Sequence, residues 1–66
     1  MDIYTLTKQT VIEGWDVTLW ISFVPQEDHV LVVTTGSDSY KKNWRESFSE
    51  ARERYADLLK EGFVRV

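Results

Sequence analysis

Asp28-His29 is the one place in this chain where a carboxylate adjoins an imidazole, and His29 is its sole histidine. Such a pair does acid–base work only with an orienting partner and a sheltered pocket. Pro25-Gln26-Glu27-Asp28-His29 reads instead as an exposed turn. Gly36-Ser37-Asp38-Ser39 offers two hydroxyls, but no strand–nucleophile–helix pattern surrounds them, and Ser and Asp at such a place suit the backbone hydrogen bonds of a turn. Gly36 alone is not a phosphate loop, which needs several glycines leading into a helix. Glu50, Glu53, Asp57 and Glu61 could suggest carboxylate ligands, yet Arg52, Arg54 and Lys60 interleave with them, as on a solvated helix face. The chain has no cysteine, which removes thiolate zinc sites and disulfides, and one histidine cannot make a multi-His site. The expectation is a protein without catalytic residues, metal or cofactor.

Two groups of side chains suit recognition better than reaction. Tyr40-Lys41-Lys42-Asn43-Trp44-Arg45 interleaves aromatic and cationic residues. On an exposed element, Tyr40 and Trp44 could stack on bases while Lys41, Lys42 and Arg45 neutralise phosphates. The alternative is that Trp44 and Tyr40 face the core and the cations are solvated. Trp20 forms the second group with Thr18 and Ser22. A Trp on an uncovered sheet face is an anchor for protein contact, unless it packs cross-strand on a Thr or on Tyr4.

The elements that must position these residues are legible from periodicity. Trp15, Val17, Leu19, Ile21 and Phe23 alternate with Asp16, Thr18, Trp20 and Ser22. Strict alternation predicts a half-buried strand over 15–24, with the odd set facing the core and Trp20 on an otherwise polar face. Pro25 ends it. Val30-Leu31-Val32-Val33-Thr34-Thr35 predicts the next strand, about 29–35. Residues 3–12 also favour a strand, and Glu13-Gly14 joins it to the second by a tight turn. Lys8 interrupts a face shared by Tyr4, Leu6 and Ile12, which suggests a bulge near Lys8-Gln9. Ser47-Phe48-Ser49-Glu50 fits a capping box, and Phe48, Ala51, Tyr55, Leu58 and Leu59 recur at helical spacing, so a helix is expected over about 48–61. Gly62 suits the left-handed residue that ends a helix, with Phe63 folding back on Leu58. Residues 36–46 are ambiguous: Tyr40, Trp44 and Phe48, four apart, would suit a helix running back to Asp38, whereas Trp44, Glu46 and Phe48 alternate as in a strand feeding the cap at Ser47, and a turn followed by a short strand, about 40–46, is the favoured reading. Phe63-Val64-Arg65-Val66 could form a short edge strand or plug the core.

Sixty-six residues with a net charge of −3 allow one domain, 1–66, and a small core. The charge is uneven. Residues 1–33 carry Lys8 against Asp2, Glu13, Asp16, Glu27 and Asp28, whereas Lys41, Lys42 and Arg45 make the connector before the helix weakly basic. With disulfides excluded, nine aromatic residues and self-association are the remaining sources of stability. No signal peptide or membrane-length apolar run stands out, so a cytoplasmic location is expected.

The order of meander, strand, Ser-capped helix and closing Gly-aromatic pair resembles that of small β-rich domains, among them the nucleic-acid-associated WGR domain. Glu50-Ala51 stands where that family has an early helical Glu-Ala pair, and Gly62-Phe63 closes the helix. The family's defining Trp-Gly-Arg is missing, since Trp20 is followed by Ile21-Ser22, and membership does not follow. The sequence thus points to an α+β domain: an antiparallel meander of three to four strands with one C-terminal amphipathic helix packed on one face. The expected role is a non-catalytic protein–protein interaction module, acting as an inhibitor, an adaptor or a homodimer through Trp20, Thr18 and Ser22. The alternative is nucleic-acid binding through Tyr40, Lys41, Lys42, Trp44 and Arg45.

Overall fold

The computed structural model describes residues 3–66. They form an α+β fold with strands β1 (Tyr4–Ile12), β2 (Trp15–Pro25), β3 (Val30–Gly36) and β4 (Lys41–Glu46), then helix α1 (Phe48–Lys60) and strand β5 (Val64–Arg65). The antiparallel sheet has the order β4-β3-β2-β1-β5. It therefore has five strands, not three to four. The fifth was hard to read because it is two residues long, and a partner strand rather than its own periodicity defines it.

The β1–β2 turn has positive φ at both central residues, 51° at Glu13 and 83° at Gly14. This is the mirror-image turn whose twist matches that of paired strands, and a glycine meets its second position without steric cost. From it the β1–β2 register runs unbroken, from Ile12 opposite Trp15 to Tyr4 opposite Phe23. No bulge interrupts Lys8-Gln9. Lys8 does lie on the apolar side of β1, but its Nζ sits over the Phe63 ring, 5.7 Å from the centroid, and donates to the Glu61 carbonyl at 2.7 Å. A long amphipathic side chain can follow an apolar face and still place its charge at a helix C-terminus, where a cation is favoured.

Directly opposed residues of antiparallel strands share a face. One face collects Leu6, Ile21, Phe23, Val30 and Val32, which join Ala51 and Leu58 of α1 and Phe63 in a single core. The helix begins at a complete capping box: the Glu50 N–H donates to Ser47 Oγ, and the Glu50 carboxylate accepts from the Ser47 N–H, both at 3.1 Å. Gly62, at φ 102°, ends it. The Phe63 N–H reaches back to the Leu58 carbonyl at 3.0 Å and the Gly62 N–H to Leu59 at 3.3 Å. This double closure turns the Phe63 ring into the core. The chain enters α1 from β4 at one edge of the sheet and leaves it for β5 at the other, so the helix crosses the sheet.

The β1–β2 hairpin outruns its neighbours. β3 ends at Gly36 opposite Leu19, beyond which only the Ser37 backbone and hydroxyl pair with Thr18. The extents, 40 × 23 × 17 Å, and a radius of gyration of 12.1 Å record this projection; a compact chain of this length gives about 11 Å. Trp15 therefore stands on the core side of β2 without joining the core. It is 76% exposed at the tip, two residues from the buried Val17, because alternation sets its side of the strand and the helix does not reach that far.

Candidate functional site

The sheet face opposite α1 carries Thr5, Thr7, Gln9 and Val11 from β1, and Asp16, Thr18, Trp20, Ser22 and Val24 from β2. From β3 and β4 it carries Leu31, Val33 and Thr35, then Lys41, Asn43 and Arg45. Among the described residues no element covers it. Trp20 sits near its centre, flanked by Thr7 on β1 and Thr35 on β3, and is 37% exposed. Tyr4 is not its neighbour, because Tyr4 pairs with Phe23 on the helix side.

This face is less polar than the alternation in β2 alone implied. The next rungs hold Ser22 beside Val33 and Val24 beside Leu31, and Val64 of β5 lies opposite Thr7. The sequence signal was present in β3, whose Val30–Val33 run is apolar on both sides of the strand, as in strands covered on both faces. Thr5 and Ser22 share a hydroxyl hydrogen bond at 3.0 Å, and Thr7 Oγ1 donates to the Leu19 carbonyl at 2.9 Å. Such internally paired hydroxyls lose less on leaving water than free ones. On β1, β2 and β3 the only ionisable side chain on this face is Asp16, towards the hairpin tip, and the cations Lys41 and Arg45 line the β4 edge.

The basic, aromatic segment 40–45 is divided by its own strand. Lys41 and Arg45 project on the open face with Trp20, whereas Lys42 and Trp44 lie on the helix side. Tyr40, in the turn before β4, lies against Gly36 on that helix side; a Cβ added at Gly36 would meet Tyr40 Cβ at 3.2 Å. Trp44 is half-buried against the core, with the Lys42 ammonium 5.8 Å and the Arg54 guanidinium 5.5 Å from its ring centroid. The structure therefore does not gather Tyr40, Lys41, Lys42, Trp44 and Arg45 on one face.

The other polar groups make local contacts. Asp28 and His29 are 2.6 Å apart in the β2–β3 loop, with the Asp28 side chain almost wholly in solvent. The hydrogen bond and charge of His29 hold the Asp28 carboxyl below its ordinary value. In the β3–β4 turn, Ser37 Oγ accepts the Thr18 N–H, and Asp38 Oδ1 accepts the Tyr40 N–H. Glu46 is 8% exposed at the end of β4, where its Oε2 takes both the Nε and a terminal nitrogen of Arg54 at 2.7 Å. Its Oε1 is buried without a hydrogen-bond partner among the described residues. Among those residues no group of three or more His, Cys, Asp or Glu is placed to hold a metal ion. No described helix is long and apolar enough to cross a membrane.

No family model, curated protein or solved structure matches this chain. The candidate site rests on its own geometry: a five-stranded sheet with one face covered by its helix and the other open around Trp20.

Proposed function

We propose that this chain is a non-catalytic protein–protein interaction module whose contact surface is the open sheet face centred on Trp20. The observation that carries this reading is the arrangement around that side chain. An aromatic anchor stands in a field of Thr, Ser, Val and Leu, and charge is kept to the hairpin end and the β4 edge. Interface centres are depleted of charge and enriched in aromatic residues, whereas rims are polar. Truncating a central Trp commonly costs a complex about 2 kcal/mol or more. Lys41 and Arg45 favour a partner with acidic groups along that edge. Asp28-His29 and Ser37-Asp38, the groups closest to a catalytic pattern, lie in exposed turns. The partner is a second copy of this chain or another protein.

The test compares wild type with Trp20→Ala, and with Trp15→Ala as a control on the other side of β2. Self-association is read by sedimentation and partner capture in nuclease-treated lysate. Loss of either, about 30-fold in affinity, in the Trp20 variant but not the Trp15 variant is expected. Identical behaviour of a folded Trp20→Ala protein in both measurements would remove the open face from consideration. Capture that disappears on nuclease treatment would instead favour a nucleic-acid ligand.

A further inference from the structure

On the opposite side of the sheet, between the N-terminal half of α1 and the ends of β1, β2 and β5, lies a groove of about 560 Å³. Its walls are aromatic: Tyr4, Phe23, Phe48 and Tyr55. Phe23 and Tyr55 meet edge to face, with centroids 5.6 Å apart. Phe48 and Tyr4 remain 44% and 51% exposed. Two arginines, Arg52 and Arg65, also line the groove, and no carboxylate side chain does among the described residues. In a chain of net charge −3 that is a local reversal of sign. Neither arginine has an ion pair among the described residues. Arg65 is nonetheless held in place: its Nε donates to the Tyr55 hydroxyl at 3.0 Å, and its guanidinium carbon lies 6.0 Å from the Tyr55 ring centroid. That leaves its terminal N–H groups without a hydrogen-bond partner among the described residues.

We infer that this groove binds a small amphipathic carboxylate, with its apolar body against Tyr4, Phe23 and Phe48 and its anionic end at Arg65 and Arg52. The volume lies within the range of small-ligand sites, which combine apolar walls with a few placed polar groups. A guanidinium already oriented by a neighbouring hydroxyl and ring receives a carboxylate with little further ordering, and its fork matches both oxygens. The site is separate from the Trp20 face, with the sheet between them.

The probe is decanoate, kept below its micelle concentration and titrated into the isotope-labelled full chain while amide and aromatic resonances are followed by NMR. Saturable shifts centred on Tyr4, Phe48, Tyr55 and Arg65 are expected. Decyltrimethylammonium, which has the same tail and the opposite charge, should bind at least tenfold more weakly. Arg52→Gln, an exposed change that leaves the core intact, should weaken decanoate about threefold to tenfold, and Trp20→Ala should leave it unchanged. Absence of saturable shifts, shifts centred on Trp20, or equal affinity for the cationic probe would each overturn the assignment.

Discussion

Glu46 and Arg54 show how position changes the meaning of an ordinary pair of charges. In the sequence, Arg54 belongs to a run of alternating charges on a solvated helix face. In the fold it closes over the buried Glu46 carboxylate and over the Trp44 ring. A partly exposed ion pair contributes little by itself, but removing one partner from a buried carboxylate leaves that charge desolvated and unpaired. Arg54→Ala is therefore expected to destabilise the protein by about 2 kcal/mol, more than an exposed helical Arg→Ala change normally costs. Urea denaturation monitored by tryptophan fluorescence checks this; a loss within a few tenths of a kcal/mol would mean that solvent already satisfies Glu46. Lys8 carries the same lesson. It reads as an interruption of an apolar face, because its acceptor, the Glu61 carbonyl, lies 53 positions away in the chain.

At the scale of elements, local signals were the most legible. The capping box at Ser47 is a four-residue pattern, and each of its bonds is formed within that pattern. Ser47→Ala should cost about 1 kcal/mol, read as a lower melting temperature. Hydrogen bonds from the Ser47 backbone and side chain hold the Glu50 carboxyl below its ordinary value of 4.5. A group with a lowered folded pKa contributes its stability in full above the ordinary value and loses it as the pH falls through the lowered one. The destabilisation caused by Glu50→Gln should therefore be present at neutral pH and shrink as the pH falls below that ordinary value; a penalty independent of pH would show that charge plays no part in the cap. The alternation in β2 likewise set which side of the strand each residue occupies. It does not say how far the covering helix extends, and so it predicts a core position for Trp15, which the structure leaves exposed. Nor could periodicity detect β5, which exists because β1 offers an unpaired edge where the chain leaves the helix.

For the whole molecule, the distribution of apolar surface matters more than its amount. A chain of this size buries only about 60% of its unfolded surface. This one also leaves Trp20 partly exposed on its open face and extends an apolar hairpin tip at Val11, Ile12 and Trp15. If a second copy covers the open face, folding is linked to association, and the melting temperature should rise with protein concentration. That dependence should vanish in Trp20→Ala and persist in Trp15→Ala. A concentration-independent wild-type melt would direct the search to a different protein as the covering partner.

Residues within a few positions of one another encode the α+β class, the two-residue turn at Glu13-Gly14, the capping box, the helix end at Gly62-Phe63, and the side of β2 on which Trp20 stands. Period and capping express the geometry of a single strand or helix, so they are written locally. Register and coverage, by contrast, arise from the folded chain as a whole. They set Val24, Leu31, Val33 and Val64 around Trp20, divide the 40–45 segment between two faces, and bring Tyr4, Phe48 and Arg65 to one groove from three separate elements. Those arrangements arise when a crossing helix covers one side of a sheet and leaves the other to solvent, and no short stretch of the chain encodes which residues end up side by side.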